Sequence, residues 1–175
     1  MSITGSSSLQ NVANPAAHLK ATFTMTLSNI CPETINATYQ FAGGSPFTTP
    51  PSFGQSPVSR LDIDISGQTT NPGDSVAIVI TLTDSLAYFD KSVDSSGLLQ
   101  SILRGSTGNS STLCNLTALK TNSAGYPTSV QFFYVRGGGM GPTTCSYELV
   151  VWMEDSTNNA YATRVILDPM IRNDG

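Results

Sequence analysis

An alternation of apolar and hydroxylated side chains near the N-terminus is the feature that most constrains how this chain folds. Between residues 21 and 27, alanine, phenylalanine, methionine and leucine occupy every second position, and threonine fills the positions between them. In an extended chain successive side chains point to opposite faces, whereas a helix would scatter this pattern around its axis. The segment is therefore predicted to form a β-strand with one buried face and one hydroxylated face in water.

Six further segments carry strand patterns. Residues 61–65 repeat the alternation, with Asp62 and Asp64 between apolar residues, and predict a strand whose two aspartates share a solvated face. Residues 76–80 are apolar and mostly β-branched on both faces, which is typical of a strand covered from both sides. Four more short segments are bounded by glycine, proline, asparagine or aspartate and are also predicted as strands: residues 35–41, 129–135, 147–153 and 162–167.

Two local signals interrupt the strand pattern. Residues 71–74 read Asn-Pro-Gly-Asp, which meets the requirements of a type II turn, and we expect this turn to join two antiparallel strands. Residues 96–104 place leucine and isoleucine on one helical stripe, with a serine at the start and Gly105 after the end. These signals predict one short crossover helix.

Many short strands joined by such turns predict an all-β fold, a single antiparallel β-sandwich of the jelly-roll kind with at most one short helix. A chain of 175 residues is long enough to bury one core without a structural metal or disulfides. Residues 1–18 are polar and are predicted to form a flexible N-terminal arm. Residues 19–175 are predicted to form the single domain.

The charge balance limits the partners. Only 11% of the residues are charged and the formal net charge is −4, so no positive surface is expected to collect phosphates and nucleic acid is not an expected partner. No apolar run has the length of a membrane-spanning helix, and the first residues lack the charged and apolar blocks of a signal peptide. We therefore expect no membrane span and a location in the cytoplasm or in an intracellular inclusion.

Catalytic and metal-binding patterns are weak. His18 is the single histidine and lies in the polar arm, so a histidine-based hydrolase is not expected. Cys31, Cys114 and Cys145 are too far apart in sequence for a zinc knuckle or a redox pair. Three reduced thiols are the favoured interpretation, and one disulfide stays open as the alternative. The chain is predicted not to be an enzyme and to need no cofactor.

Two aromatic residues are candidates for ligand binding. Residues 132–134 are consecutive aromatics, so both faces of the predicted strand receive a ring, and Phe133 points away from its two neighbours. Trp152 lies between two apolar residues on another predicted strand, and its ring can likewise be either exposed or buried. A solvent-exposed ring at either position would stack on a sugar or seal a contact between subunits, whereas a buried ring would belong to the core.

An oxygen-rich segment follows the predicted strand that carries Trp152. Asp155, Asn158 and Asn159 lie in it, and they complete our set of candidate ligand-binding residues. Such a segment offers the oxygen ligands that Ca²⁺ prefers, but the EF-hand pattern is absent and Asp/Asn runs between strands are commonly turns. Calcium is therefore kept as an alternative to the absence of any cofactor.

Several segments follow one another in an order that resembles the AidA/PixA-type inclusion-body protein family of bacteria. They are residues 61–65, the Gly-Asp-Ser-Val run at 73–76, residues 147–152 and the Asp-Pro-Met-Ile run at 168–171, and the resemblance spans residues 58–171. It implies a β-sandwich without established enzymatic activity. It also implies abundance, self-association and ligand binding as the properties to test.

Three functions are compatible with these observations. The first is a non-enzymatic, self-associating structural protein of the inclusion-body type, because few charges oppose contact between copies and hydroxyl-rich faces can hydrogen-bond to one another. The second is a carbohydrate-binding module or lectin that uses the aromatic residues and the asparagine-rich loop. The third is a viral capsid or fibre jelly-roll protein, although a basic arm for packaged nucleic acid is missing. The expected partners are accordingly other copies of the chain and glycans.

Overall fold

The computed structural model describes residues 19–31, 34–45, 61–66, 71–93, 99, 102–107, 112–138, 143–154, 162–167 and 170–173. Within these residues the regular structure is entirely β, which confirms the predicted all-β class. The strands are β1 (Leu19–Cys31), β2 (Thr34–Ser45), β3 (Ile63–Asp64), β4 (Ser75–Leu82), β5 (Ala87–Phe89), β6 (Ile102–Thr107), β7 (Thr112–Thr121), β8 (Pro127–Val135), β9 (Thr143–Glu154), β10 (Ala162–Leu167) and β11 (Met170–Asn173).

The strands form two sheets. The five-stranded sheet has the order β2-β1-β4-β8-β7. In the six-stranded sheet β9 is the organising strand, because β10 and β11 pair along one side of it and β5 and β6 along the other, while β3 pairs with β11. Each of the seven segments predicted as strands contributes to one of the two sheets, although the segment at 61–65 keeps only two residues in strand geometry.

The sheets are mixed, which corrects the prediction of a purely antiparallel architecture. β1 pairs with β4 in parallel, and β11 pairs with β3 in parallel, while the other strand pairs are antiparallel. A parallel pair needs a long connection between its strands rather than a tight turn. Here β2 and β3 lie between β1 and β4 in the chain, which provides such a connection.

The predicted helix at 96–104 is wrong wherever this segment is described. Leu99 forms an isolated bridge with Val93, and Ile102, Leu103 and Arg104 pair with β9. An isolated helix of nine residues is marginal in water, because nucleating it costs more than its few hydrogen bonds return. Pairing with the long strand β9 satisfies the same backbone groups in a ladder, so tertiary pairing overrides the local helical pattern.

Both sheets contribute to one hydrophobic core. The apolar side of the alternation in β1 lies in it, as predicted, and the five residues 76–80 of β4 are all buried, which confirms a strand covered on both faces. Across the two sheets, the rings of Phe132 on β8 and Tyr147 on β9 lie 5.3 Å apart between centroids. The largest fully buried side chains are Tyr134, Tyr147, Phe23, Phe89, Phe132, Met25, Ile63, Ile65, Ile78 and Ile80.

Asp62 corrects the prediction of a solvated acidic face. The residue is only 8% exposed, whereas Asp64 on β3 is partly exposed. Burial, and then the charge of Asp62, raise the pKa of the buried Tyr39 on β2 well above its ordinary value. Burial also raises the pKa of Tyr147, whose hydroxyl donates to the carbonyl oxygen of Leu61 at 3.4 Å. Asp62 thus lies among core tyrosines.

The turn predicted at 71–74 forms, but its surroundings differ from the expectation. The amide of Asp74 donates to the carbonyl of Asn71 at 3.1 Å, and Gly73 has a φ of +88°, as a type II turn requires. The turn leads into β4 of the five-stranded sheet, whereas the preceding strand β3 belongs to the other sheet. It therefore does not close a hairpin. Instead it extends the β4–β8 ladder, through hydrogen bonds of Gly73 and Asp74 with Arg136 at 2.9 Å each.

The contact between the sheets generates a stability prediction. Phe132→Ala removes a fully buried ring and leaves a cavity beside Tyr147, so the free energy of unfolding should fall by about 3–5 kcal/mol. Leu119→Ala is the control, because Leu119 is 48% exposed and its truncation should change stability by about 0.5 kcal/mol or less. Urea unfolding followed by circular dichroism measures both. Equal, small losses for the two variants would contradict a core shared by both sheets.

The turn before β4 generates a second stability prediction. Gly73→Ala should lower the free energy of unfolding by about 1 kcal/mol, because a side chain is strained at positive φ although open space surrounds the new Cβ. Gly138→Ala is the matched control, since it also meets open space but lacks a positive φ. Thermal unfolding of both variants is the measurement. If Gly73→Ala stabilised the protein as much as Gly138→Ala does, the turn would have another conformation.

Candidate functional site

A row of three side chains crosses the six-stranded sheet on the face turned away from the core. Tyr88 on β5 and Arg164 on β10 lie directly opposite Trp152 on β9, one on each side. Trp152 takes the outer face because Leu149 and Val151 of the same strand lie in the core, and neighbouring residues point to opposite faces. We call Tyr88, Trp152 and Arg164, with Asp90, Lys91, Tyr126 and Glu154 around them, the aromatic cluster.

Hydrogen bonding fixes the orientation of Trp152. Its indole nitrogen Nε1 donates to Oδ2 of Asp90 at 3.2 Å, and the ring is half-buried. Oδ1 of Asp90 accepts from the backbone amide of Ser92 at 2.8 Å and from the Ser92 hydroxyl. Partial burial opposes the charge on Asp90, but these hydrogen bonds and the positive charge of Arg164 lower its pKa below the ordinary value.

A stacked tyrosine pair borders the tryptophan. The rings of Tyr88 and Tyr126 lie 4.3 Å apart between centroids at an interplanar angle of 28°, and the Nζ atom of Lys91 lies 4.1 Å from the centroid of Tyr126. Both faces of the Tyr126 ring are therefore covered by this chain. Burial, followed by the neighbouring Tyr126, Glu154 and Asp90, raises the pKa of Tyr88.

The β7–β8 turn positions Tyr126. Oδ1 of Asn122 accepts hydrogen bonds from the amides of Ala124, at 3.0 Å, and Tyr126, at 2.9 Å. The backbone amide of Asn122 donates to the Tyr126 carbonyl at 2.9 Å, and Gly125 takes a φ of +79° that closes the turn. This turn belongs to the five-stranded sheet, so the tyrosine stack joins the end of one sheet to the edge of the other.

The sequence-predicted binding residues do not all meet. Trp152 lies in the aromatic cluster, but Phe133 is on β8 of the other sheet, where it is 8% exposed and packs with Ala77 and Cys114. Its ring therefore lies in a small second apolar cluster rather than in an open stacking surface. Asp155 and the pair Asn158 and Asn159 lie outside the described residues.

Sequence reasoning missed the partners of Trp152. Tyr88, Asp90 and Arg164 are separated from it by up to 64 positions and carry no motif. Only the pairing of β5 and β10 with β9 brings them together. The one local signal was the alternation in β9, which places Trp152 and Glu154 on the same face.

A second distinctive surface lies on the outer face of the five-stranded sheet. On β1, Thr24 pairs with Gln40 of β2 and Thr26 pairs with Thr38 of β2. Thr24 also pairs with Thr81 of β4, and Thr81 in turn pairs with Ser129 of β8. We call this surface the hydroxyl face. Its members are Thr22, Thr24, Thr26, Thr38, Gln40, Thr81, Thr83, Ser129 and Gln131.

The hydroxyl face is neutral and internally hydrogen-bonded. The hydroxyls of Thr26 and Thr83 are 2.7 Å apart, and those of Thr81 and Ser129 are 2.8 Å apart. Between Lys20 on β1 and Lys120 on β7, the described residues of this face are uncharged. The hydroxylated side of the first alternation therefore reaches four strands, but on β4 and β8 the same face also carries the buried residues Ala77, Val79 and Phe133.

The described acidic residues and cysteines are the groups that bear on metal and redox chemistry. The described residues include no group of three or more histidine, cysteine, aspartate or glutamate side chains that would hold a metal ion. Cys114 is a buried thiol, and burial raises its pKa to about 11, so it reacts slowly at neutral pH. Cys145 is a buried thiol in the shared core, and the side chain of Cys31 lies outside the described residues.

Comparison with known proteins gives a distant structural likeness. No protein-family model matches the chain, and no curated protein matches it. The inclusion body protein PixA from Burkholderia cenocepacia is similar in structure, with a TM-score of 0.35 and 11% sequence identity over 95% of this chain and 99% of that chain. This is a distant structural resemblance only, so the family resemblance noted in the sequence stays a prediction. In the described residues, no helix has the length and hydropathy to cross a membrane.

The Trp152–Asp90 hydrogen bond generates a pH prediction. The lowered pKa of Asp90 means that its charged form stabilises the fold, fully above the ordinary value of 3.8 and progressively less as the pH falls through the lowered value. Asp90→Asn should therefore destabilise the protein more at about pH 7 than at about pH 3. Urea unfolding at both pH values, followed by circular dichroism, measures the difference.

Trp152→Phe supplies the control for this prediction. In that background the indole donor is missing, so Asp90→Asn should cost less at neutral pH than it does in the wild type. Additive losses at both pH values would show that the indole does not stabilise the Asp90 carboxylate.

Proposed function

We propose that this chain is a non-enzymatic structural protein, a β-sandwich that self-associates through the hydroxyl face and accumulates as an intracellular inclusion. The observation that carries the proposal is the hydroxyl face itself, a neutral surface whose exposed side chains lie on β1, on β2 and directly after β4. Its partner is a second copy of the chain. No cofactor and no nucleic acid take part.

The chemistry of the face suits contact between identical surfaces. A hydroxyl group both donates and accepts hydrogen bonds, so two copies of the same face can satisfy one another without a complementary partner. Thr26, Thr38 and Gln40 are exposed on it. The formal net charge of −4 adds little long-range repulsion between copies.

A charge-insertion experiment tests this interface. Thr38→Lys combined with Gln40→Lys places two positive charges on exposed positions of the hydroxyl face, and in a symmetric contact these charges would meet their own copies. Sedimentation velocity of the concentrated protein should show an oligomer for the wild type and mainly monomer for the variant, with association weakened about tenfold or more.

The change in net charge makes the result specific. Together, the two lysines move the formal net charge of −4 two units closer to zero. This change by itself would favour association. Ser123→Lys, at the exposed tip of the β7–β8 turn, is the control and should leave the oligomer intact. A wild type that stays monomeric at high concentration, or a double variant that associates like the wild type, would contradict the proposal.

A second candidate function is carbohydrate binding, and the half-buried Trp152 in the aromatic cluster favours it. An aromatic ring held on a rigid strand beside charged groups is a common way to recognise a ligand that has an apolar face and polar edges. Calcium bound by the segment around Asp155, Asn158 and Asn159 stays the alternative to a metal-free site. The capsid or fibre alternative has no comparable supporting observation among the described residues.

A further inference from the structure

We propose that the outer face of β9 holds a saccharide site, in which an uncharged sugar ring stacks on Trp152 and its hydroxyls are bound by Arg164 and Glu154. This inference deepens the carbohydrate-binding candidate and is independent of association through the hydroxyl face, which lies on the other sheet. It names both a position and a ligand class for the aromatic cluster.

Trp152 is held in place before any ligand binds. The strand β9 is paired on both sides at this position, so the backbone that carries the ring is rigid. The indole donor is already used on Asp90, and the residue is half-buried, so part of its surface remains accessible to a ligand. A ring that is locked before binding loses little conformational entropy when a ligand stacks on it.

Among the aromatic rings of the cluster, the two stacked tyrosines are not available to a stacking sugar. Tyr126 has Tyr88 on one face and the ammonium of Lys91 on the other, so neither face can receive a sugar while these contacts persist. Tyr88, the other ring of the stack, is itself buried. The tyrosine pair therefore acts as a wall beside Trp152, and Trp152 supplies the platform.

The charged residues around Trp152 are balanced in sign. Asp90 and Glu154 are acidic, whereas Lys91 and Arg164 are basic, so the formal charges of the cluster cancel. A balanced set favours neither an anion nor a cation. It instead offers donors and acceptors to a neutral polyhydroxyl ligand, because guanidinium groups donate and carboxylates accept hydrogen bonds.

The positions of the two polar side chains that we propose for sugar binding, Arg164 and Glu154, agree with this interpretation. Arg164 is exposed and lies directly across the strand pair from Trp152, and Glu154 projects from the same face of β9 two residues further on. Hydroxyls at the edge of a sugar stacked on the indole would therefore meet a donor on one side and an acceptor on another.

The experiment uses the full chain on an array of neutral oligosaccharides, followed by titration with the free sugars that bind. Trp152 is the single tryptophan, so its fluorescence reports on the proposed site without added labels. We expect at least one neutral glycan to bind and to shift or quench the emission. Binding by the variants is measured by isothermal titration calorimetry, because replacing the single tryptophan also removes the fluorescence signal. Trp152→Ala should weaken binding at least about tenfold, and Arg164→Ala should weaken it severalfold.

Two further variants separate loss of the site from loss of the fold. Trp152→Phe keeps an aromatic platform without the indole donor and should retain more binding than Trp152→Ala. Lys120→Ala removes an exposed cation from β7 of the other sheet and should bind like the wild type.

Three results would overturn the proposal. They are a blank array, binding that Trp152→Ala leaves unchanged while its circular dichroism spectrum remains native, and binding that Lys120→Ala weakens as much as Arg164→Ala does. None of these results bears on self-association, because the sedimentation behaviour of the wild type is measured separately and depends on the hydroxyl face.

Discussion

The packing of two sheets against one shared core is the constraint on which the other features of this molecule depend. Every strand that alternates apolar and polar residues must turn its apolar side inward, and the contact of Phe132 with Tyr147 shows the two inner faces meeting. Once the inner faces are committed to each other, the exposed parts of the outer faces are what remains for recognition. The hydroxyl face lies on the outer face of the five-stranded sheet, and Trp152 of the aromatic cluster lies on the outer face of the six-stranded sheet.

The strands were predictable from the sequence, but their pairing was not. The alternation at 21–27 and the two-sided apolar run at 76–80 depend on local periodicity, and both appear in the structure as predicted. The parallel pairing of β1 with β4 depends on contacts between distant segments, which periodicity does not encode. For the same reason the leucine-rich segment before β7 was wrongly predicted as a helix, since its pairing with β9 decides its conformation.

The same limit applies to the candidate site. Trp152 was identified because its strand and face follow from its neighbours, whereas Tyr88 and Arg164 reach it only through strand pairing. Asp62 shows the opposite error, because the alternation predicted a solvated side chain where the structure buries the residue near Tyr39 and Tyr147. Phe133 was correctly placed on the face opposite its aromatic neighbours, yet that face is covered at its position.

We propose that copies of this chain meet through a neutral, hydrogen-bonding surface. Small-angle X-ray scattering of the concentrated full chain, at about 0.1 M and about 1 M salt, tests it most directly, because the screening length falls from about 10 Å to about 3 Å between these conditions. If copies associate through the hydroxyl face, the particle mass should exceed that of the 18.4 kDa monomer at both salt concentrations. A monomeric mass, or an assembly that dissociates when salt is added, would contradict it.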